Sequence, residues 1–126
     1  MEFVSHRLGK VIERRWALTP DLLERKRETA RFNFIPVDDS LQLAGGRLRL
    51  YAIDGIGSEV ALMAYLPGEQ FLWASDYVQR TDQPTSYATE VWNAARRAGI
   101  RPASVAAEHH PVTRWEVIEG LQGKEN

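Results

Sequence analysis

The sequence contains no cysteine. That excludes disulfides, thiolate metal sites and thiol nucleophiles, and it fits a cytoplasmic protein, where structural disulfides are rare. No apolar run approaches the roughly 18 residues that would suggest a membrane span. The N-terminus, MEFVSHRLGKVIERRW, has no continuous apolar core of signal-peptide length. An excess of one charge is missing too: 16 basic residues against 17 acidic ones leave a net charge of -1. Binding to nucleic acid or to a membrane surface through bulk charge is therefore not expected. The chain also lacks internal repeats and low-complexity segments.

What is present is the composition of one soluble globular domain. The chain has 126 residues, 44% hydrophobic and 26% charged, enough to bury a core without a large margin. Residues 1–18 have no clear cap and no assigned role. Thr19-Pro20-Asp21 reads as a helix start, with Pro20 suited to the first helical position, and the helix is expected to run to about Ala30. Its charge run, Glu24 to Glu28, reads as a solvated face.

From Phe32 the period changes to two, which predicts a strand stopping near Pro36. Asp38-Asp39 marks a turn. Leu41 and Leu43, the Gly45-Gly46 turn, then Leu48, Leu50 and Ala52 predict a half-buried antiparallel hairpin. Val60 to Leu66 is nearly all apolar, so it reads as a strand buried on both faces. Gln70 to Ser75 reads as a second buried strand ending at Asp76.

Ser86 is a plausible N-cap for a helix through Ala98, with Gly99 as its stop. Ser104 to Ala107 is a short apolar strand, and His109-His110-Pro111 a loop. Thr113-x-x-Glu116 has the form of a capping box opening a last helix through about Leu121. Gly123 to Asn126 is expected to be a disordered tail. Strands alternating with helices in this way predict an α/β layered domain with a mixed β-sheet.

Two features have chemical potential. Asp76 stands where a buried strand leaves the sheet, and α/β proteins place ligands at such strand ends. The pair His109-His110 follows the next buried strand, and neutral imidazole is the commonest protein ligand for zinc. If the two strands are neighbours, both groups emerge on one edge of the sheet, with Glu108 beside them as an orienting or acid-base group. Elsewhere the signals are structural. His6 reads as a surface residue, and Gly45-Gly46 is not a phosphate loop because no lysine and no helix follow it. Trp73, Trp92 and Trp115 are expected to pack between sheet and helices.

The stretch LYAIDGIGSEVALMAYLPGEQFLWASDY, residues 50–77, resembles the second half of metallo-β-lactamase-fold hydrolases. It shares with them a strand, a turn, an apolar strand ending in Tyr-Leu-Pro, and a strand leading to a metal-bridging aspartate. SVAAEHHPVTRWEV, residues 104–117, is similar to the family's closing strand and its His-Gly loop, and ALTPDLLERKR, residues 17–27, to its linker helix. The resemblance implies half of an αββα sandwich over residues 19–122, with helices on one face of the mixed sheet.

By that resemblance Asp76 matches the bridging aspartate. His109 matches the closing-loop histidine, and His110 takes the place of the usual glycine, which leaves the choice between the two histidines open. The position of the family's middle histidine falls on Gly57, which cannot ligate. The family's His-x-His-x-Asp-His motif lies in its N-terminal half and has no counterpart here. A catalytic zinc needs about three protein ligands and an open position, so one chain is expected to hold no metal firmly. The resemblance thus implies a degenerate or partial domain without hydrolase activity as an isolated chain. It leaves two alternatives. One is a metal-dependent hydrolase, using zinc or another divalent metal, completed by homodimerisation or by a missing N-terminal half-domain. The other is a non-catalytic binding module.

Overall fold

A computed structural model describes residues 2–5, 34–54 and 60–123. The expected helix from Thr19, its charge run, His6 and Gly57 lie outside the described residues. A short strand β1 (Glu2–Ser5) pairs in parallel with β2 (Phe34–Val37), so Pro36 lies inside a strand rather than ending one. A two-stranded ribbon is all edge, and proline's missing N–H costs nothing there.

The main sheet has six strands in the order β3-β4-β5-β6-β7-β8. They are β3 (Ser40–Leu43), β4 (Leu48–Asp54), β5 (Val60–Leu66), β6 (Phe71–Trp73), β7 (Ser104–Ala107) and β8 (His110–Arg114). The expected hairpin of β3 and β4 forms, turning through Ala44–Gly46, where all three residues have positive φ. Every pairing is antiparallel except β6 with β7. Parallel neighbours require a crossover, and α1 (Ser86–Arg97) lies within that connection.

Thr85, not Ser86, caps α1: its hydroxyl accepts from Ala88 N–H at 3.1 Å. The helix ends as its sequence promises. Gly99 has φ +67°, and the Ile100 N–H returns to the Ala95 carbonyl at 3.0 Å, a Schellman closure. Ala88, Val91, Ala94 and Ala95 form its buried stripe. The last helix, α2 (Trp115–Gln122), buries Trp115, Ile118 and Leu121. The expected capping box is absent, because Thr113 is drawn into β8 opposite Val105. The Trp115 N–H is satisfied by the Ala103 carbonyl at 3.0 Å instead.

Both described helices pack on one face of the sheet, over Ile53, Met63, Tyr65, Leu72 and Val105. The register puts Leu50, Leu62, Ala64, Phe71, Trp73 and Ala106 on the opposite face. β5 is therefore apolar on both sides, as expected; within residues 61–66 Met63 and Tyr65 are buried, while Ala61, Leu62, Ala64 and Leu66 stay half-buried. Trp115 lies in the core as predicted. Trp92 is half-buried beneath the Arg96 guanidinium, 4.7 Å from its ring centre. Trp73 corrects the prediction: it is 42% exposed. Its side chain stands on the face opposite the described helices.

Candidate functional site

Because β6 and β7 run in parallel, their C-terminal ends fall together. Ala74 N–H bonds the Ala106 carbonyl at 2.9 Å, and one step further Glu108 N–H bonds the Ser75 carbonyl at 2.7 Å. These two backbone bonds bring the chain exit carrying Asp76 against the turn carrying Glu108 and His109, as the sequence predicts for neighbouring strands. A tight turn shapes the exit, closed by Tyr77 N–H to Ala74 carbonyl at 3.0 Å. Within it Ser75 has φ +53°. A non-glycine residue in the left-handed region carries strain that the surroundings must hold in place. The surroundings here are Tyr77 and Val78, 2% and 1% exposed. Tyr77 also meets Tyr87 edge-to-face at 5.1 Å.

β4 is parallel to β6, so its C-terminal end lies at the same end of the sheet, two strands away. A cavity of about 530 Å³ opens there, lined by Asp38, Asp39, Asp54, Tyr51 and Arg97. Asp54 meets Arg97 at 3.2 Å across it. Its lining is acidic rather than apolar, and it contains none of Asp76, Glu108 or the two histidines.

The two histidines differ. His110 is the first residue of β8 rather than part of a loop. Its Nδ1 donates to the Pro111 carbonyl at 2.9 Å, and its Nε2 faces the Thr81 hydroxyl at 3.4 Å. Both ring nitrogens are thus engaged. His109 is exposed in the preceding turn. Asp76 is half-buried and Glu108 exposed. Among the described residues, no cluster of three or more His, Asp or Glu side chains has the geometry to hold a metal ion. The described residues alone therefore do not fit a catalytic zinc, which needs about three protein ligands.

The segment between β6 and α1 braces His110. Arg80 grips Asp82 with two bonds of 2.6 Å, on either side of Thr81. The guanidinium hydrogen bond holds the Asp82 carboxyl down at about 2. A depressed carboxylate stabilises above its unfolded pKa, and that contribution fades as pH falls through its folded value. The clasp is therefore intact throughout the neutral range and lost only near pH 2. In Arg80→Ala, Asp82 is expected to titrate in the ordinary carboxylate range, read from its carboxyl-carbon chemical shift. An unchanged midpoint would mean that Arg80 does not hold it.

Ser75 is the site feature that the sequence did not disclose, since no residue pattern marks a serine for positive φ. Tyr77 and Val78, anchors of the same turn, fall between recognisable periodic segments and were equally hidden.

No protein-family model matches the sequence, and no curated protein matches it. The structure does match solved proteins. The DIM-1 metallo-β-lactamase aligns with 96% of this chain at a TM-score of 0.63 and 10% identity. DIM-1 exposed to ceftazidime gives 0.61 and 10% over 98%, and TMB-1 gives 0.59 and 12% over 96%. At such identities the likeness concerns the fold alone. The chain spans only about 55% of the first of these proteins, 54% of TMB-1 and 57% of the ceftazidime-exposed form. It carries part of a metallo-β-lactamase fold. Among the described residues no helix is long and apolar enough to cross a membrane.

Proposed function

We propose that this chain is a partial metallo-β-lactamase-like domain, corresponding to the C-terminal half, that does not hydrolyse substrates on its own. The observation that supports this most is the ligand shortfall at the strand ends. Asp76 follows β6 and His109 follows β7, and among the described residues no group of three or more His, Asp or Glu side chains could hold a metal ion. Two ligands neither hold a divalent metal firmly nor bring a bound water's pKa near neutrality. The chain retains the scaffold that presents part of a site.

A second reading has an observation in its favour. The described helices lie on one face of the sheet, and Trp73 on the other is 42% exposed, which leaves room for a partner that could complete the site. In that form the protein is a metal-dependent hydrolase with ligands drawn from two polypeptides or two copies, and Asp76 and His109 are this chain's share. Zinc would then supply a Lewis acid and an acidified water.

Elemental analysis of protein purified without chelator or histidine tag tests the first reading, together with hydrolysis of a chromogenic β-lactam. Metal far below one equivalent per chain and no chelator-sensitive turnover are expected. Stoichiometric zinc with turnover that is lost in both Asp76→Ala and His109→Ala would replace the first reading with the second.

A further inference from the structure

Arginine keeps its charge everywhere in a protein, so a guanidinium that leaves water needs a counter-charge or an acceptor. The arginines among the described residues have one, with a single exception. Arg80, Arg97, Arg101 and Arg114 each face a carboxylate. Arg47 donates to the Ala44 carbonyl at 3.1 Å, and Arg96 lies over the Trp92 ring. Arg49 is the exception. It is half-buried in β4, and its Nε is shut off from solvent without a hydrogen bond. A buried donor left unpaired bears its full cost of desolvation, which calls for an explanation.

The register shows what surrounds it. Arg49 stands between Gln42 of β3 and Tyr65 of β5, on the face that carries the described helices. The Ala52 N–H bonds the Asp39 carbonyl at 3.0 Å. Continuing that alternation along β3 and β4, Gln42 and Arg49 form a pair without ladder bonds, the kind whose side chains lie closest. Gln42 is exposed and Tyr65 buried. An amide, a guanidinium and a phenol therefore run from the rim toward the core. From Ser40 to Ile53 the chain carries Arg47 and Arg49 and no acidic residue, and residues 60–68 carry none either.

We propose that Arg49 anchors a site for a small oxyanion, the carboxylate or phosphate group of a ligand, between β3 and β5. Nε and the neighbouring Nη form the edge of the guanidinium that takes two oxygens at once. The protein uses that edge elsewhere. Arg80 grips Asp82, and Arg101 grips Glu119, each through Nε and Nη2. An anion on Arg49 gains the same fork. Gln42 and Tyr65 are further donors beside it, and Arg47 adds positive charge. The site is separate from the strand-end groups. Arg49 lies near the N-terminal end of β4, whereas Asp76 and His109 follow the C-terminal ends of β6 and β7.

The test is a titration of the full chain, labelled with nitrogen-15, with sodium phosphate and separately with sodium acetate. Sodium chloride at matched ionic strength is the control for screening. The Arg49 Nε–H resonance, identified by its loss in Arg49→Lys, should shift and saturate with a dissociation constant of about 1 mM or tighter. Those of Arg80 and Arg101, already paired, should stay in place. Arg49→Lys keeps the charge without the fork and should weaken binding about tenfold or more, read from other resonances of β3 and β4. Saturation by phosphate alone assigns a phosphorylated ligand, and saturation by acetate alone a carboxylate. An Arg49 resonance that neither anion moves would overturn the proposal. So would a shift that chloride reproduces, or an affinity unchanged in Arg49→Lys. The parent chain decides the matter by itself, so a variant that fails to fold does not obscure it. Neither metal content nor hydrolysis enters the reading.

Discussion

Leu72→Ala should cost about 3–4 kcal/mol, read as a lower urea midpoint with an unchanged slope. Leu72 is fully buried in the middle of β6, in register between Tyr65 and Val105. The cost of such a truncation depends on how far the surroundings collapse into the void. Here they have little freedom. Both neighbours are held in the sheet by backbone pairing, and helix residues such as Val91, Ile118 and Trp115 belong to the same packed cluster. β6 has only three residues, so it cannot shift without giving up most of its ladder. Against a typical total of about 5–15 kcal/mol, such a loss leaves a marginal domain. A cost below about 1 kcal/mol would mean that the cluster repacks and that the face is softer than its burial implies.

That substitution also bears on the site. Ser75 holds its positive φ because the Ala74–Tyr77 turn is fixed at both ends, by the bonds to β7 and by the buried Tyr77 and Val78. Loosening β6 at Leu72 slackens the first of these supports. Backbone exchange at Glu108 N–H, bonded to the Ser75 carbonyl, is the natural local reporter.

Much of this was legible in the sequence, and the reasons differ from element to element. β7 was read with its observed bounds because Ser104–Ala107 is a short apolar run between Pro102 and a polar turn. The end of α1 was legible because Gly99 does what glycine does after a helix, adopting positive φ without penalty. The meeting of Asp76 with the His109 turn followed from two buried strands proving to be neighbours. β8 was not legible. Thr113 and Glu116 have the spacing of a cap, and that local signal competes with a long-range one, the pairing of Thr113 with Val105. Sheet pairing won, and a strand stands where a loop and a cap were expected. The two histidines could not be separated by sequence either. Their difference lies in Thr81, 29 positions before His110 in the chain.

The tryptophans give the sharpest remaining test, because pattern alone assigned three of them to the core and the structure separates them. Trp115→Ala should cost about 3–5 kcal/mol, the usual range for a buried large aromatic. Trp115 is 3% exposed, opens α2 and joins the main cluster with Ile118 and Leu121. Its backbone N–H, which ties the end of the β7–β8 hairpin to the Ala103 carbonyl, is kept in that variant, so the loss is one of side-chain packing. Trp73→Ala removes the same number of atoms from a side chain 42% exposed, on the face opposite the described helices. Its cost to the fold of one chain should be about 1 kcal/mol or less, in the range of substitutions away from the core. Equal losses in the two variants would place Trp73 in the core beside Trp115. A large loss for Trp115 beside a small one for Trp73 would assign one tryptophan to the core and the other to the surface, as their exposures of 3% and 42% require.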